Sequence, residues 1–171
     1  MQKIIRVVLL IALGLMVTTG GISCTEEEAK PTELLPVEVG FVGVEKAFSG
    51  QESYRLDLVF TVYNPNKLMV AMDELNYKLY CDEDYLGTSG VAEKAYIPGE
   101  CEIRVRSPYT LGISDLIGAY MLGGMPMSEC IGAAGAKWGV IGGDEVTWRV
   151  EGSVHITSEL GPSLTRFDFT K

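Results

Sequence analysis

The sequence predicts an all-β domain: an antiparallel β-sandwich of about seven strands with a helical insertion near residues 111–140. Three observations predict it. Apolar and polar residues alternate with period two through most of the chain. Turn-forming clusters, NPN, CDEDYLG, IPGE and GGDE, separate the alternating runs. One stretch, Leu111 to Gly143, abandons period two for the i, i+3, i+4 spacing of an amphipathic helix.

The elements follow in order. "VEVGFVGVE" (Val37 to Glu45) opens the domain as a strand whose alternation breaks around Gly40 and Gly43, the mark of a bulge or bend. In "YRLDLVFTV" Tyr54, Leu56, Leu58, Phe60 and Val62 are apolar, with Arg55, Asp57 and Thr61 between them: one buried face, one wet. That strand runs into Asn64-Pro65-Asn66. Pro65 has no N–H to give a ladder, and it pushes Asn64 to extended geometry, so the strand continues up to the stop. Asn66 tolerates the left-handed region, and both Asn side chains can satisfy turn backbone groups. The chain can then swing out and re-enter a sheet at Leu68.

"ELNYKLYC" places Leu75, Tyr77, Leu79 and Cys81 on one side. A short strand is expected at "AEKAYI". "CEIRVR" places Cys101, Ile103 and Val105 inward and Glu102, Arg104 and Arg106 outward. Ile113, Leu116, Ile117, Tyr120 and Met121 then form a helical face, with Asp115 in the first turn, where a carboxylate complements the helix dipole. Gly123-Gly124 ends that helix, and a second short helix is expected with Ser128 as N-cap. "EVTWRVEGSVHI" buries Val146, Trp148, Val150, Val154 and Ile156, and "LTRFDFTK" offers Phe167 and Phe169. Strands of this number and pattern pack as two sheets on one core, in the manner of immunoglobulin and fibronectin type III domains.

Composition bounds the function. Apolar residues make up 47% of 171, which is enough for a packed core. The net charge is -9, with no basic stripe to neutralise phosphates, so nucleic acid is excluded as a partner. Plain electrostatic docking on anionic lipid is excluded for the same reason.

Residues 1–23 read as an export signal: Lys3 and Arg6, an apolar run from Val7 to Val17, then small residues. The run is 11 residues, short of the roughly 20 that a membrane-spanning helix needs. "GISC" resembles the bacterial lipobox and makes Cys24 the lipidation candidate; it departs from that pattern at Gly21, where a larger aliphatic residue is usual. The alternatives are a cleaved signal with an incidental cysteine and an uncleaved membrane anchor. Cleavage before Cys24 removes two of 14 basic residues, leaving 12 against 23 acidic, a net of -11. Residues 24–36, "CTEEEAKPTELLP", read as an acidic tether, and residues 37–171 as the domain.

Few residues carry chemistry. His155, the single histidine, alternates with Val154 and Ile156 and faces the polar side of its strand, with no nucleophile motif nearby. Asp82, Glu83 and Asp84 form an acidic turn without the spacing of a calcium-hand loop, and read as a solvated hairpin tip. Cys81 and Cys101, both placed inward, could form a disulfide between neighbouring strands or be two small buried hydrophobes. No CxxC or Cys/His cluster suggests a metal, and no glycine fingerprint suggests a cofactor. Met125, Met127 and Trp138 could form an adaptable apolar surface for a partner or lipid, or plug the open end of the sandwich.

The run of motifs from Leu56 to Arg106 resembles the late embryogenesis abundant type 2 family, also called the WHy (water stress and hypersensitive response) domain. The resemblance rests on the alternating strand into Asn64-Pro65-Asn66, the aromatic-rich strand about ten residues later, the Leu86-Gly87 step, and the Ile97-Pro98 turn before another alternating strand. It extends over roughly Val37 to Lys171. It implies a seven-stranded sandwich with a helix, no catalytic site, and a role in desiccation and other stress tolerance. The chain is thus expected to be a non-enzymatic protective protein, exported and lipid-anchored at the cell envelope, with client proteins or lipids as partners. The alternative is an envelope protein- or lipid-binding interaction module without a stress role. The anchoring expectation has a direct check: Cys24→Ala abolishes incorporation of labelled palmitate and releases the protein from membranes, whereas incorporation equal to the native protein would place the anchor elsewhere.

Overall fold

The computed structural model describes residues 33–49, 53–143 and 146–171. The leader, Cys24 and most of the acidic tether lie outside them. The described chain forms eight strands: β1 (Glu38–Ser49), β2 (Ser53–Tyr63), β3 (Val70–Cys81), β4 (Asp84–Val91), β5 (Ala95–Ile97), β6 (Glu102–Gly112), β7 (Trp148–Ser158) and β8 (Gly161–Thr170). Two helices, α1 (Ile113–Leu122) and α2 (Met127–Gly142), intervene between β6 and β7. One sheet has the order β1-β2-β6; the other has the order β4-β3-β7-β8, with β5 sharing an edge of β3 with β4. All the pairings are antiparallel. The architecture is the expected sandwich with its helical insertion.

The alternation in the sequence becomes the inner face of each sheet. Tyr54, Leu56, Leu58, Phe60 and Val62 of β2 are buried against Leu75, Tyr77 and Leu79 of β3 and Val150, Val154 and Ile156 of β7. Rings bridge the sheets: Phe60 lies 5.4 Å from Tyr77 and 5.8 Å from Phe167, and Phe167 stacks on Phe169 at 5.5 Å. Such pairs add to the area they bury through edge and face complementarity. The Tyr77 hydroxyl reaches across the core to Ser107 of β6 at 2.9 Å, so neither buried hydroxyl is left without a partner. The expected break in β1 is a β-bulge between Phe41 and Gly43, with Gly43 at φ 144°.

The strand that the sequence reading missed is β4. Its inward positions hold Leu86, Gly87, Ser89 and Val91 only in part, and Leu86 alone is fully buried. The stretch therefore carries turn residues and little apolar alternation. The first two residues after Cys81, Asp82 and Glu83, make the hairpin turn, with Asp82 at φ 54°. β4 is held on by its pairing with β3 and by Tyr109 of β6, whose hydroxyl donates to the Leu86 carbonyl at 2.8 Å. Gly87, at φ 152°, leaves room for that hydroxyl, which any side chain would displace.

Asn64-Pro65-Asn66 is a buried polar hub. Asn64 is 0% exposed. Its Nδ2 donates to the carbonyls of Leu68 (2.8 Å), Ile97 (3.1 Å) and Pro98 (3.0 Å). Its Oδ1 accepts from the Asn66 N–H and from Asn66 Nδ2, both at 3.0 Å. Its own N–H donates to the Cys101 carbonyl at 2.9 Å. Asn66 in turn exchanges two hydrogen bonds with the backbone of Leu35, at 2.8 and 2.9 Å. With carbonyls on one side and N–H groups on the other, the environment dictates which way the Asn64 amide points. The left-handed residue at this corner is Glu100, φ 55°, not Asn66, whose amide is committed to Asn64 and Leu35.

Asn64→Asp tests the hub. The substitution turns an oxygen toward three carbonyls and removes their donor, and is expected to cost about 3 kcal/mol or more at neutral pH, the order of a buried polar group left unpaired plus a buried charge. Burial raises the pKa of the new carboxyl in the folded state above its unfolded value. The neutral form is thus favoured by folding, and the defect shrinks as pH falls toward 4. Urea unfolding across pH measures this; a defect independent of pH would contradict it.

Candidate functional site

The two helices close the end of the sandwich opposite the hub. α1 follows directly from β6 at Gly112, whose N–H donates to Asp115 Oδ2 at 2.7 Å; this is the first-turn carboxylate the sequence placed there. Leu116 is buried, and Ile113, Ile117 and Tyr120 pack on the core, but Met121 is exposed. α2 starts at Met127 with Pro126 as N-cap, not at Ser128, and runs 16 residues where a short helix was expected. Pro126 holds φ -61°, ready for helix, and its carbonyl accepts from the N–H groups of Glu129 and Cys130. Cys130, Ala134 and Ile141 are buried. Lys46 of β1 donates to the carbonyls of Gly142 and Gly143, supplying the cation that the last turn of α2 lacks.

The acidic turn is the clasp for this helical pair rather than a free hairpin tip. Lys137 Nζ lies 2.9 Å from Asp82 and 2.7 Å from Asp84, and donates to the Cys81 carbonyl at 3.3 Å. The Tyr120 hydroxyl of α1 reaches Asp84 at 3.3 Å. The Lys137 side chain is 13% exposed. Burial alone would pull its pKa down, but hydrogen bonds to Asp84 and Asp82 outweigh it and hold the pKa above the ordinary lysine value. The hydrogen bond from Lys137 likewise holds the Asp82 carboxyl below its usual range. The sequence showed the acids but not their partner, because the lysine lies some 55 residues on. Among the described residues no group of three or more His, Cys, Asp or Glu could hold a metal ion.

The cysteines do not pair. Cys81 and Cys101 are both free. Cys81 ends β3 at the helical end and is buried, whereas Cys101 is exposed at the hub end, in the turn before β6 begins at Glu102. The inward face of "CEIRVR" is real at Ile103 and Val105, but Cys101 lies past the edge of the sheet. Burial pushes the Cys81 thiol up to about 11, so it is not a nucleophile at neutral pH.

Nor do Met125, Met127 and Trp138 form one exposed patch. Trp138 packs on the core with its ring 4.3 Å from that of Tyr54, Met125 is half-buried, and Met127 is exposed. The exposed apolar side chains of this end lie instead toward the turn between the helices: Met121, Leu122, Met127 and Ile131, with Leu122 92% exposed. Asn64, Pro65 and Asn66 sit at the hub, and His155 lies on the outer face opposite Glu74 and Leu164, exposed as expected. Across that outer face a shallow groove is lined by Asn76, Ser153 and Arg166, beside Lys78–Glu151 and Arg149–Asp168 ion pairs at 2.9 and 2.8 Å.

No family model matches the chain, and no curated protein matches it significantly. Solved structures do. An Arabidopsis thaliana protein solved in solution is 10% identical and matches with a TM-score of 0.53, covering 82% of this chain and 85% of its own. A crystal structure from Archaeoglobus fulgidus is 9% identical, with a TM-score of 0.47 over 81% and 94%. A candidate late embryogenesis abundant protein solved in solution is 10% identical, with a TM-score of 0.44 over 80% and 71%. At such identities the likeness is one of fold.

The clasp sets a stability prediction. Lys137→Met leaves two acids facing each other and is expected to cost about 1–2 kcal/mol, between an exposed and a buried pair. The Asp82 pKa is lowered on folding from 3.8, so its contribution is present above about pH 3.8 and lost as pH falls through the folded value. Asp82→Asn therefore lowers the melting temperature at neutral pH and flattens its fall in acid. Parallel acid profiles for the two proteins would remove Asp82 from the account.

Proposed function

We propose that this chain is a non-enzymatic protective domain of the late embryogenesis abundant type 2 kind, exported and held at the cell envelope by lipid on Cys24. The observation that carries the reading is the hub. The residues on which the sequence resemblance rests are the ones that knit the sandwich together. Asn64 and Asn66 bind the chain around both crossings between sheets, Ile97 and Pro98 supply two of the carbonyls, and Leu86-Gly87 receives Tyr109. A motif with that structural duty is informative about ancestry; the likeness to the Arabidopsis protein is one of fold.

The physical mechanism follows from charge and attachment. A folded acidic domain on a tether of about a dozen residues stands between surfaces that would otherwise fuse or aggregate as water leaves. Cleaved before Cys24, the chain keeps 12 basic and 23 acidic residues, a net charge of -11, which favours solubility and keeps copies apart. A second reading, an envelope protein- or lipid-binding module without a stress role, draws support from the exposed Met121, Leu122, Met127 and Ile131. Several large apolar side chains exposed at one end of a domain are a common form of docking surface.

Drying separates the two. A fragile reporter enzyme and liposomes are dried and rehydrated with the protein, beside an unrelated folded protein of matched charge. Protection well above the control at substoichiometric amounts, unchanged by Leu122→Ser with Ile131→Ser, is the expected result. Protection no better than the control would sink the protective role. Protection lost in the helix-face variant would favour the binding module.

A further inference from the structure

The described domain has an apolar surface at each end. At the helical end it is Met121, Leu122, Met127 and Ile131. At the hub end Leu35, Met69 and Leu160 on the loop tips and Tyr96 in β5 are exposed. These are odd places for such residues. Leu160 occupies the two-residue tip of the β7–β8 hairpin, between paired Ser158 and Gly161, where a polar turn residue is ordinary. Met69 stands just before β3, next to Leu68, whose carbonyl the hub binds. Tyr96 projects from the outer face opposite Ala71, with the Lys94 ammonium 5.9 Å from its ring centre. Leu35 is fastened to Asn66 through both its N–H and its carbonyl.

We propose that the hub end is a lipid-docking surface: Leu35, Met69, Tyr96 and Leu160 rest at the headgroup boundary of the bilayer to which the chain is tied. The inference rests on the anchored reading above, and the point where the tether enters the domain decides between the two ends. Leu35 is 35 - 24 = 11 residues from Cys24. Eleven residues span at most about 40 Å fully extended. β3 alone, 12 residues long, adds roughly 36 Å between the hub end and Cys81, and the helices dock at that far end. The tether joins the domain at the hub, through Leu35, so that end is the one it holds nearest the bilayer, and the helical face lies farther off by the length of β3. A short tether also holds the local lipid concentration high, so weak intrinsic contact suffices.

Charge selects the lipid. Glu33, Glu100 and Glu159 stand exposed among these tips with one exposed lysine, Lys67, and Lys94 is engaged by Asp73 at 3.1 Å, so acids outnumber bases there. The surface therefore suits zwitterionic headgroups, with an aromatic residue at the boundary, and disfavours anionic ones.

The test uses the full-length lipidated protein on phosphatidylcholine vesicles whose acyl chains carry bromine, a short-range quencher of tryptophan. Met69→Trp and Leu160→Trp report the hub end and Leu122→Trp the helical end, each read against the native protein with its own Trp138 and Trp148. Flotation with the vesicles is scored first. The expected result is flotation, at least two-fold quenching of the added emission at 69 and 160, and none at 122. Replacing a third of the lipid by phosphatidylglycerol should reduce the quenching at 69. Flotation without quenching at 69 and 160, or with stronger quenching at 122, overturns the docking surface while anchoring stands. Failure to float overturns anchoring and docking together.

Discussion

The side-chain amide of Asn64 is the contact on which the rest of the sandwich depends. Two sheets packed face to face can slide and splay unless the chain segments that cross between them are fixed. β2 leaves the three-stranded sheet through Asn64-Pro65-Asn66 to enter β3 in the other, and β5 returns through Ile97–Cys101 to β6 in the first. Asn64 binds both crossings at once, through the carbonyl of Leu68 on one and those of Ile97 and Pro98 on the other. Because the site is fully buried, there is no water to take the place of a lost partner. Replacing the amide therefore does more than remove an attraction: it leaves several backbone groups stranded, and the corner must open to satisfy them.

The other ties act where the hub does not reach. Tyr77 and Ser107 join the sheets through the core, Tyr109 closes the β4–β6 side, and the Lys137 clasp seats the helices on the far hairpin. Glu45 binds Arg104 and Arg106 on the outer face of the three-stranded sheet, at 3.1 and 2.6 Å. These arginines lie about half exposed, so they contribute little energy of their own. Val59, fully buried although it points away from the core, stands between Gly43 and Arg106 in register.

What could be read in the sequence followed from how local its cause was. Period two in β2, β3, β6 and β7 gave the inner faces, because burial of one sheet face writes itself on every second residue. The bulge in β1 was legible from its glycines, and the stop at Pro65 from the missing N–H. β4 was illegible because its support comes from Tyr109 and from pairing with β3, not from its own side chains. Cys101 looked inward by phase and proved exposed, since phase says nothing about where a sheet ends. The clasp and the hub are long-range: Lys137 is 55 residues from Asp82, and Asn64 is 33 from Ile97. No local pattern encodes such pairs. Asn64, Pro65 and Asn66 were legible as a strand stop, but their partners at Leu35, Leu68, Ile97 and Pro98 were not.

The asymmetry of the two ends follows from the same division of labour. A sandwich must close both of its open ends. At one end the chain does so with a helical pair whose inner side carries Leu116, Ala134 and Ile141, and whose outer side carries only exposed Asp115 and Glu129 as charges. At the other end no described residue is helical; the hub satisfies the crossing backbone directly, and Leu34, Val37 and Leu68 pack on the core, which leaves the neighbouring tips free of packing duty. Side chains with no packing duty and no polar partner need another reason to be large and apolar. Leu35, Met69 and Leu160 occupy that position, on loops whose backbone the hub and the β7–β8 hairpin hold fixed. Fixed backbone costs no ordering on contact, so even a weak apolar contact there keeps most of its free energy.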